Sequence, residues 1–326
     1  MRQLTVGSND GGQRLDKFLA KALPALPQGL AYKFIRTKYI KLNGARVQPQ
    51  TKLAEGDVLS FWISDEFFES VDEHNAFLHI TPKLDVIYED EQILLVNKPA
   101  GISVHSDENG EKDTLLAHIQ AYLYKKGEYR PEEEQSFAPA LCNRIDRNTC
   151  GLVIAAKTAE ALRVMNEKIR LRQVEKQYLC LLHGCPKPAQ GTLTFFQRKD
   201  EKTRTVQVFD HPVSGGLTAQ TEYRVKKTYN GISLTEVRLI TGRTHQIRAS
   251  FAHIGCPLVG EGKYGHGEKD RKQGYPYQAL CAYRLTFAFE ANEEAGALAY
   301  LARKSFQVPP CWFERGEFQR SRENNN

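Results

Sequence analysis

No two cysteines in this chain stand at C-x-x-C spacing, although seven are present. That argues against a structural zinc site and against a redox pair, and no metal is expected. A disulfide framework is not expected in a chain this long, so the thiols are taken as reduced. No signal peptide is expected, because Met1-Arg-Gln-Leu-Thr5 is polar and no apolar core follows it. No apolar run approaches the length that spans a bilayer. A soluble cytoplasmic protein with no membrane contact is the expectation. An excess of charge of one sign is also missing from most of the chain. The formal net charge is +6, and residues 1–63 supply all of it, with ten Lys or Arg against four acids; the remainder balances at 35 of each. A small basic module on a neutral body suits docking onto a polyanion. The length allows two domains and an ample core.

Within the basic module, Leu15, Phe18, Leu19, Ala22 and Leu23 recur at helical spacing, and Pro24 and Pro27 stop the helix. A second helix is expected from about Leu30 to Lys38. It places Lys33 and Arg36 one turn apart on one face, with Lys38 and Lys41 following. Short strands are expected at 39–42, 45–47 and 57–63, with Asn43-Gly44 as a hairpin turn between the first two. Residues 64–83 are acidic and close at Pro82, so they read as a linker that Phe67, Phe68 and Phe77 tack onto the body. His74 and His79 have no partner at metal-ligand spacing.

A large domain is expected over 84–318. It opens with two apolar strands around an acidic turn, ending at Lys98-Pro99, with Gly101 allowing a bend. Helices are expected at 114–125 and 159–170, and an exposed loop at 127–136 around Glu132-Glu133-Glu134. Strands are expected at Gly151–Ala156, 174–184, 217–225, 232–239 and 279–289. A helix near 244–254 would be capped by Thr244 and stopped by Gly255. It would bury Ile247, Phe251 and Ile254, and Arg248 would lean to the same side. A buried guanidinium requires a carboxylate partner. Residues 265–277 read as a mobile loop, 292–295 as a turn and 319–326 as a disordered tail. Many strands with few intervening helices indicate an α+β fold with a mixed, mainly antiparallel sheet.

The stretch with the most chemistry is Ala140 to Lys157. Arg144, Asp146 and Arg147 crowd three charges just ahead of the apolar run. A carboxylate between two guanidiniums is expected to carry its charge. Asn143-Arg-Ile-Asp-Arg-Asn-Thr-Cys-Gly-Leu152 resembles the Asp motif of the RluA-type pseudouridine synthases, His-Arg-Leu-Asp-Arg-x-Thr-Ser-Gly-Leu. Here Asn143 replaces the His and Cys150 replaces a hydroxyl residue. Three further segments carry the same resemblance. Lys176-x-Tyr178 matches the family's Lys-x-Tyr, and Thr241-Gly-Arg-Thr-His-Gln-Ile-Arg248 matches its second long signature. Ala279-Leu-Cys-Ala282 matches a late strand in which His is common where Cys281 stands. Residues 1–63 resemble the α-L RNA-binding module first seen in a small-subunit ribosomal protein, giving an architecture like that of RluC and RluD.

The resemblance implies an isomerase that turns uridine into pseudouridine in structured RNA, most readily large-subunit (23S) ribosomal RNA, acting as a monomer without a cofactor. Asp146 would act at the ribose, as nucleophile or as base. Tyr178 would stack on the target base, and Arg248 would pair with Asp146. Arg144 would fill the gap left by the flipped nucleotide. Arg147, Lys98, Arg243 and His245 would face RNA, as would Arg14, Lys33, Arg36, Lys38 and Lys41 of the module. Two other readings stand beside it. One is a non-catalytic RNA-binding or ribosome-assembly protein that keeps the fold. The other is a hydrolase of a glycosidic bond, which would need a second acid near Asp146, and the motifs offer none.

Overall fold

Two units build the chain, a three-stranded sheet with two helices and an eleven-stranded sheet with helices on both faces. The computed structural model describes residues 1–68, 72–106 and 110–318. The expected tail, 319–326, lies outside the described residues.

The small unit contains β1 (Arg2–Thr5), α1 (Leu15–Ala22), α2 (Gln28–Arg36), β2 (Ile40–Leu42) and β3 (Val58–Phe61), with antiparallel sheet order β1-β3-β2. Leu15, Phe18, Leu19, Ile35, Ile40, Leu59 and Phe61 form its core. Three details depart from expectation. Strand β1 was not anticipated. Helix α2 begins earlier and ends at Arg36, because Lys38 takes a left-handed φ of 66°. The Asn43-Gly44 turn forms, yet 45–47 is no strand and β2 pairs with β3. Only Ala45 bridges back to Leu42; Val47 then tucks into the core, and Pro49 has no N–H for a ladder.

The linker is partly helical, with 3₁₀ turns at Asp65–Phe68 and Asp72–His79. Phe67 and Phe68 pack on the small unit, whereas Phe77 is buried against Tyr124 and Tyr129 of the large one. The expected loop at 127–136 forms and exposes Glu132 and Glu133, while its far end is a clasp between the units. Glu134 accepts from Asn9 Nδ2 at 2.7 Å, and Ser136 accepts from Gln13 Nε2 at 2.7 Å and donates to buried Asp10. Arg163 completes the clasp by donating to the Gly11 carbonyl at 2.9 Å.

The large unit contains β4 (Val86–Glu89), β5 (Ile93–Lys98), α3 (Leu115–Lys126), β6 (Ala140–Leu141), β7 (Cys150–Ala156), α4 (Ala159–Arg170), β8 (Val174–His183), β9 (Gln190–Asp200) and β10 (Thr205–Phe209). It continues with β11 (Leu217–Tyr229), β12 (Ile232–Leu239), α5 (Gln246–His253), α6 (Gly267–Lys272), β13 (Leu280–Phe287) and β14 (Ser305–Gln307). The sheet runs β10-β9-β11-β12-β8-β13-β7-β5-β4, with β14 on β13 and β6 on β7. Only β13 and β7 run parallel, so the sheet is mixed and mainly antiparallel, in an α+β fold. Strand β7 is buried along its whole length. One of its faces joins the core under α4, the other the core under α3 and α5. The expected mobile loop at 265–277 contains α6. Buried Asp270 pins it, accepting from Gly260 N at 2.7 Å and pairing with His183 Nε2 at 2.9 Å. The expected turn at 292–295 opens a 3₁₀ run, Glu293–Leu301. No helix among the described residues is long and apolar enough to cross a membrane.

Candidate active site

Asp146 lies on the loop between β6 and β7, and its position is set by the backbone behind it. Thr149 N–H donates to the Asp146 carbonyl at 3.0 Å, closing the loop. Thr149 is buried and its hydroxyl accepts from Gln278 Nε2 at 3.0 Å. Gly151 then takes φ 112°, and a Cβ there would stand 2.2 Å from the Ala282 carbonyl oxygen. Only glycine lets β7 approach β13 so closely. Asn143 braces the other side, with Oδ1 accepting from Ile154 N–H at 2.7 Å. It is buried, so it serves the loop rather than an RNA contact.

Helix α5 brings Arg248 to the same place. Its start differs from expectation: His245 stands at the N-cap with a left-handed φ of 50°, and Thr244 makes no cap. Gln246 supplies the tie instead. Its Oε1 accepts from Arg243 N–H and Thr241 Oγ1, and its Nε2 donates to the Gln220 carbonyl and Thr221 Oγ1. Arg248 is buried and donates from Nη1 to Asp146 Oδ2 at 2.7 Å. Its other edge forks onto Glu261, Nε to Oε2 at 2.6 Å and Nη2 to Oε1 at 2.7 Å. Glu261 is fully buried, and the bidentate geometry fixes the guanidinium plane. The two carboxylates raise the guanidinium's pKa further despite its burial.

Tyr178, on β8, lies buried beside them, with its hydroxyl pushed well up by burial and by the Asp146 charge. A cleft of about 660 Å³ opens over the group, lined among others by Arg144, Asp146, Tyr178, Arg243, His245 and Arg248. Arg144 is exposed there and makes no hydrogen bond or ion pair among the described residues. Arg243 is exposed and donates to the Thr218 carbonyl at 3.0 Å. His245 pairs through Nδ1 with the Tyr264 hydroxyl at 2.7 Å, and its Nε2 stands 3.9 Å from Asp146 Oδ2. Burial lowers its pKa, against the pull of Asp146.

Not every expected residue arrives. Neither Arg144 nor Arg147 flanks the carboxylate; Arg147 turns away to Glu111 at 2.7 Å. Lys98 is fully buried, so it cannot touch RNA. Its ammonium donates to the carbonyls of Pro99, Ile102 and Arg147 at 2.8, 2.9 and 2.8 Å. Burial pulls its pKa down to about 8. In the small unit, Lys33 and Arg36 are exposed on α2, and Lys38 follows in its turn. With Tyr32 and Arg46 they line or adjoin a groove of about 450 Å³. Lys41 lies over the Trp62 ring at 5.0 Å, and Arg14 is committed to Asp16 at 2.7 Å. Arg46, Gln246, Tyr264 and Glu261 were missed. Glu261 had a signal, since a buried Arg248 requires carboxylate partners and a guanidinium has two edges to satisfy.

Comparison with known proteins bears on this arrangement. The profile described as RNA pseudouridylate synthase matches residues 92–253, and that of the S4 domain matches residues 13–59. An RNA pseudouridine synthase of Mycoplasma pneumoniae, itself uncharacterised, is 33% identical over 92% of this chain and 93% of its own length. The ribosomal large subunit pseudouridine synthase C of Yersinia pestis is 28% identical over 94% and 93%. The solved human RNA pseudouridylate synthase domain containing protein 1 shares the fold, with TM-score 0.54 at 20% identity over 71% of this chain and 86% of that one.

Proposed function

The chain belongs to the RNA pseudouridylate synthase family, and from that premise we propose that it isomerises uridines of large-subunit (23S) ribosomal RNA, with Asp146 acting at the ribose. Isomerisation breaks the bond from the sugar to N1 of the base, turns the ring and rejoins it through C5. No electrons are exchanged and no group is lost, so the chain's own side chains suffice. The carboxylate serves as nucleophile at the sugar or as base beside it. Tyr178 offers a flat surface that restrains the detached ring to rotation. Arg248 aims the carboxylate. Arg144, exposed in the cleft, takes the place of the extruded nucleotide, whose extrusion costs a few kcal/mol.

One observation carries the reading: Arg248 Nη1 meets Asp146 Oδ2 at 2.7 Å at the wall of a cleft that Tyr178 also lines. The large-subunit target is supported by the names of relatives that match along nearly the whole chain. In this reading residues 1–63 form the RNA-docking module, with Lys33, Arg36 and Lys38 on phosphates, and the protein works as a cytoplasmic monomer. The hydrolase reading loses its remaining support here. Among the described residues the second acid near Asp146 is Glu261, which is sealed from solvent with both oxygens on Arg248, leaving none to activate a water.

The test uses large-subunit RNA carrying tritium at uridine C5. The parent releases tritium, and Asp146→Asn releases none while still binding RNA. Release by the variant at the parent rate overturns the role of Asp146; free uracil as product overturns isomerisation.

A further inference from the structure

The cysteine spacing argued against a metal site, yet the fold gathers three cysteines that the sequence keeps apart. Cys150 opens β7, and Cys281 lies opposite it in the one parallel pairing of the sheet. Cys311 comes from the turn after β14. All three are buried, and their sulfur atoms lie within 4.8 Å of one another. Little else holds them. Cys150 Sγ has a long 3.5 Å contact with the Leu280 carbonyl. The nearby charges are also unusual for a core. The Lys98 ammonium bears on Cys150, and the buried Glu314 carboxylate bears on Cys281. Glu314 Oε1 in turn accepts from Cys311 N–H at 2.7 Å.

We propose that Cys150, Cys281 and Cys311 form a binding site for a thiophilic d¹⁰ cation, Zn²⁺ foremost, in the core beneath the Asp146 loop. Thiolate sulfur is the preferred donor for such ions. Tetrahedral zinc with bonds of about 2.3 Å holds its sulfurs about 3.8 Å apart. A set already within 4.8 Å needs adjustments of about an ångström or less, within reach of side-chain rotation. Three thiolates and the Glu314 carboxylate around a divalent cation leave two negative charges, and the Lys98 ammonium offsets one of them. On binding, each thiol gives its proton to solvent, and one sulfur–metal bond replaces each S–H bond. Glu314, held against Cys311 N–H at 2.7 Å, offers an oxygen for a fourth position. The bound ion would tie β7, β13 and the C-terminal turn together, four residues beyond Asp146.

The test is direct. The full chain is purified under reductant without chelator, its zinc is counted, and the metal is exchanged for Co²⁺ by refolding the whole chain with that ion. The expected result is one metal per chain. A near-ultraviolet sulfur-to-cobalt band and the ligand-field bands of a tetrahedral site should appear, and added zinc should remove both. Cys281→Ser and Cys311→Ser should lose the band, whereas Cys185→Ser, remote from the cluster, should keep it. Loading with zinc should raise the melting temperature of the parent and leave that of Cys281→Ser unmoved. A parent chain that carries no zinc as purified and shows no sulfur-to-cobalt band after refolding overturns the proposal, whatever the variants do. Tritium release from uridine is scored separately and does not depend on this outcome.

Discussion

Asp146 and Glu261 share one guanidinium, and the two bonds predict opposite consequences for two isosteric substitutions. Glu261 is fully buried and holds Arg248 through two bonds of 2.6 and 2.7 Å. Asp146 is 30% exposed at its side chain and holds Arg248 through one bond of 2.7 Å. Breaking a buried ion pair by removing one partner costs about 3–5 kcal/mol, because a buried charge is left uncompensated. In Glu261→Gln the guanidinium keeps Asp146, so the low end applies, about 3 kcal/mol. With a urea slope of about 3 kcal/mol per molar, the midpoint should fall by about 1 M. In Asp146→Asn the guanidinium keeps its bidentate partner, and a single half-exposed bond is worth about 1 kcal/mol or less. Activity should run the other way. Asp146→Asn should release no tritium from C5-labelled uridine. Glu261→Gln keeps the acting carboxylate but frees the arginine that aims it. A misplacement on the order of 1 Å costs about 100-fold in rate, so kcat should fall by about that factor or less, with KM for RNA little changed. Urea unfolding and single-turnover tritium release on the same preparations decide the matter. Asp146→Asn unfolding at lower urea than Glu261→Gln, or Glu261→Gln turning over at the parent kcat, would refute the division of labour.

Four further outcomes follow from the placement of charge. Lys98→Met strands the carbonyls of Pro99 and Ile102 and leaves that of Arg147 only Gly101 N–H, so stability should drop by at least about 2 kcal/mol. The salt dependence of RNA binding should stay at the parent value, and a shallower slope would return Lys98 to the RNA surface. Arg36→Ala should reduce the slope of log affinity against log salt by about 1 with an unchanged urea midpoint. Arg14→Ala should reduce it less, since Asp16 already answers that charge; equal losses would show the pair to be open in solution. Burial lowers the pKa of His245 below its usual 6.5. The unfolded chain then binds the extra proton first, so this contribution is complete above about pH 6.5 and drains as pH falls through the folded value. His245→Gln should therefore flatten the loss of urea midpoint between pH 7 and pH 5, and a steeper loss would reverse the assigned sign.

Regular elements with clear punctuation were legible in the sequence. Helix α4 matches its expected span, and Thr158 caps it by accepting from Ala161 N–H. Thr114 does the same for α3. Strand β7 was legible because seven consecutive buried positions leave an unbroken apolar run. Strands β9 and β10 were not, because β9 reads polar and exposed over much of its length at the sheet's outer end. The site was legible where a motif carried it and illegible where the third dimension decided. A lysine closing an apolar strand reads as an exit to solvent. Here Gly101 at φ 98° turns the chain back, and carbonyls from two segments surround the ammonium. Likewise, spacing along the chain carries no trace of Cys281 lying opposite Cys150, since only the order of strands in the sheet puts them together.

Asp146, proposed to act at the ribose, lies on a loop, where a side chain is ordinarily less well held than on a helix or strand. Arg147, next in sequence, offers its carbonyl to both the Lys98 ammonium and Gly101 N–H. Thr149 is held by Gln278 from the edge of β13, and Asn143 is held by β7. Arg248 then fixes the carboxylate itself, and Glu261 fixes Arg248. Lys98, Thr149, Asn143, Arg248 and Glu261 are all buried, while the Asp146 side chain stays 30% exposed. The buried lysine and the buried glutamate therefore do the work that regular secondary structure would do elsewhere. They hold Asp146 in place while it lines the cleft, as the proposed role at the ribose requires. An aspartate on β7 itself would be as well held, but that strand is buried on both faces and would seal the carboxylate away from any nucleotide.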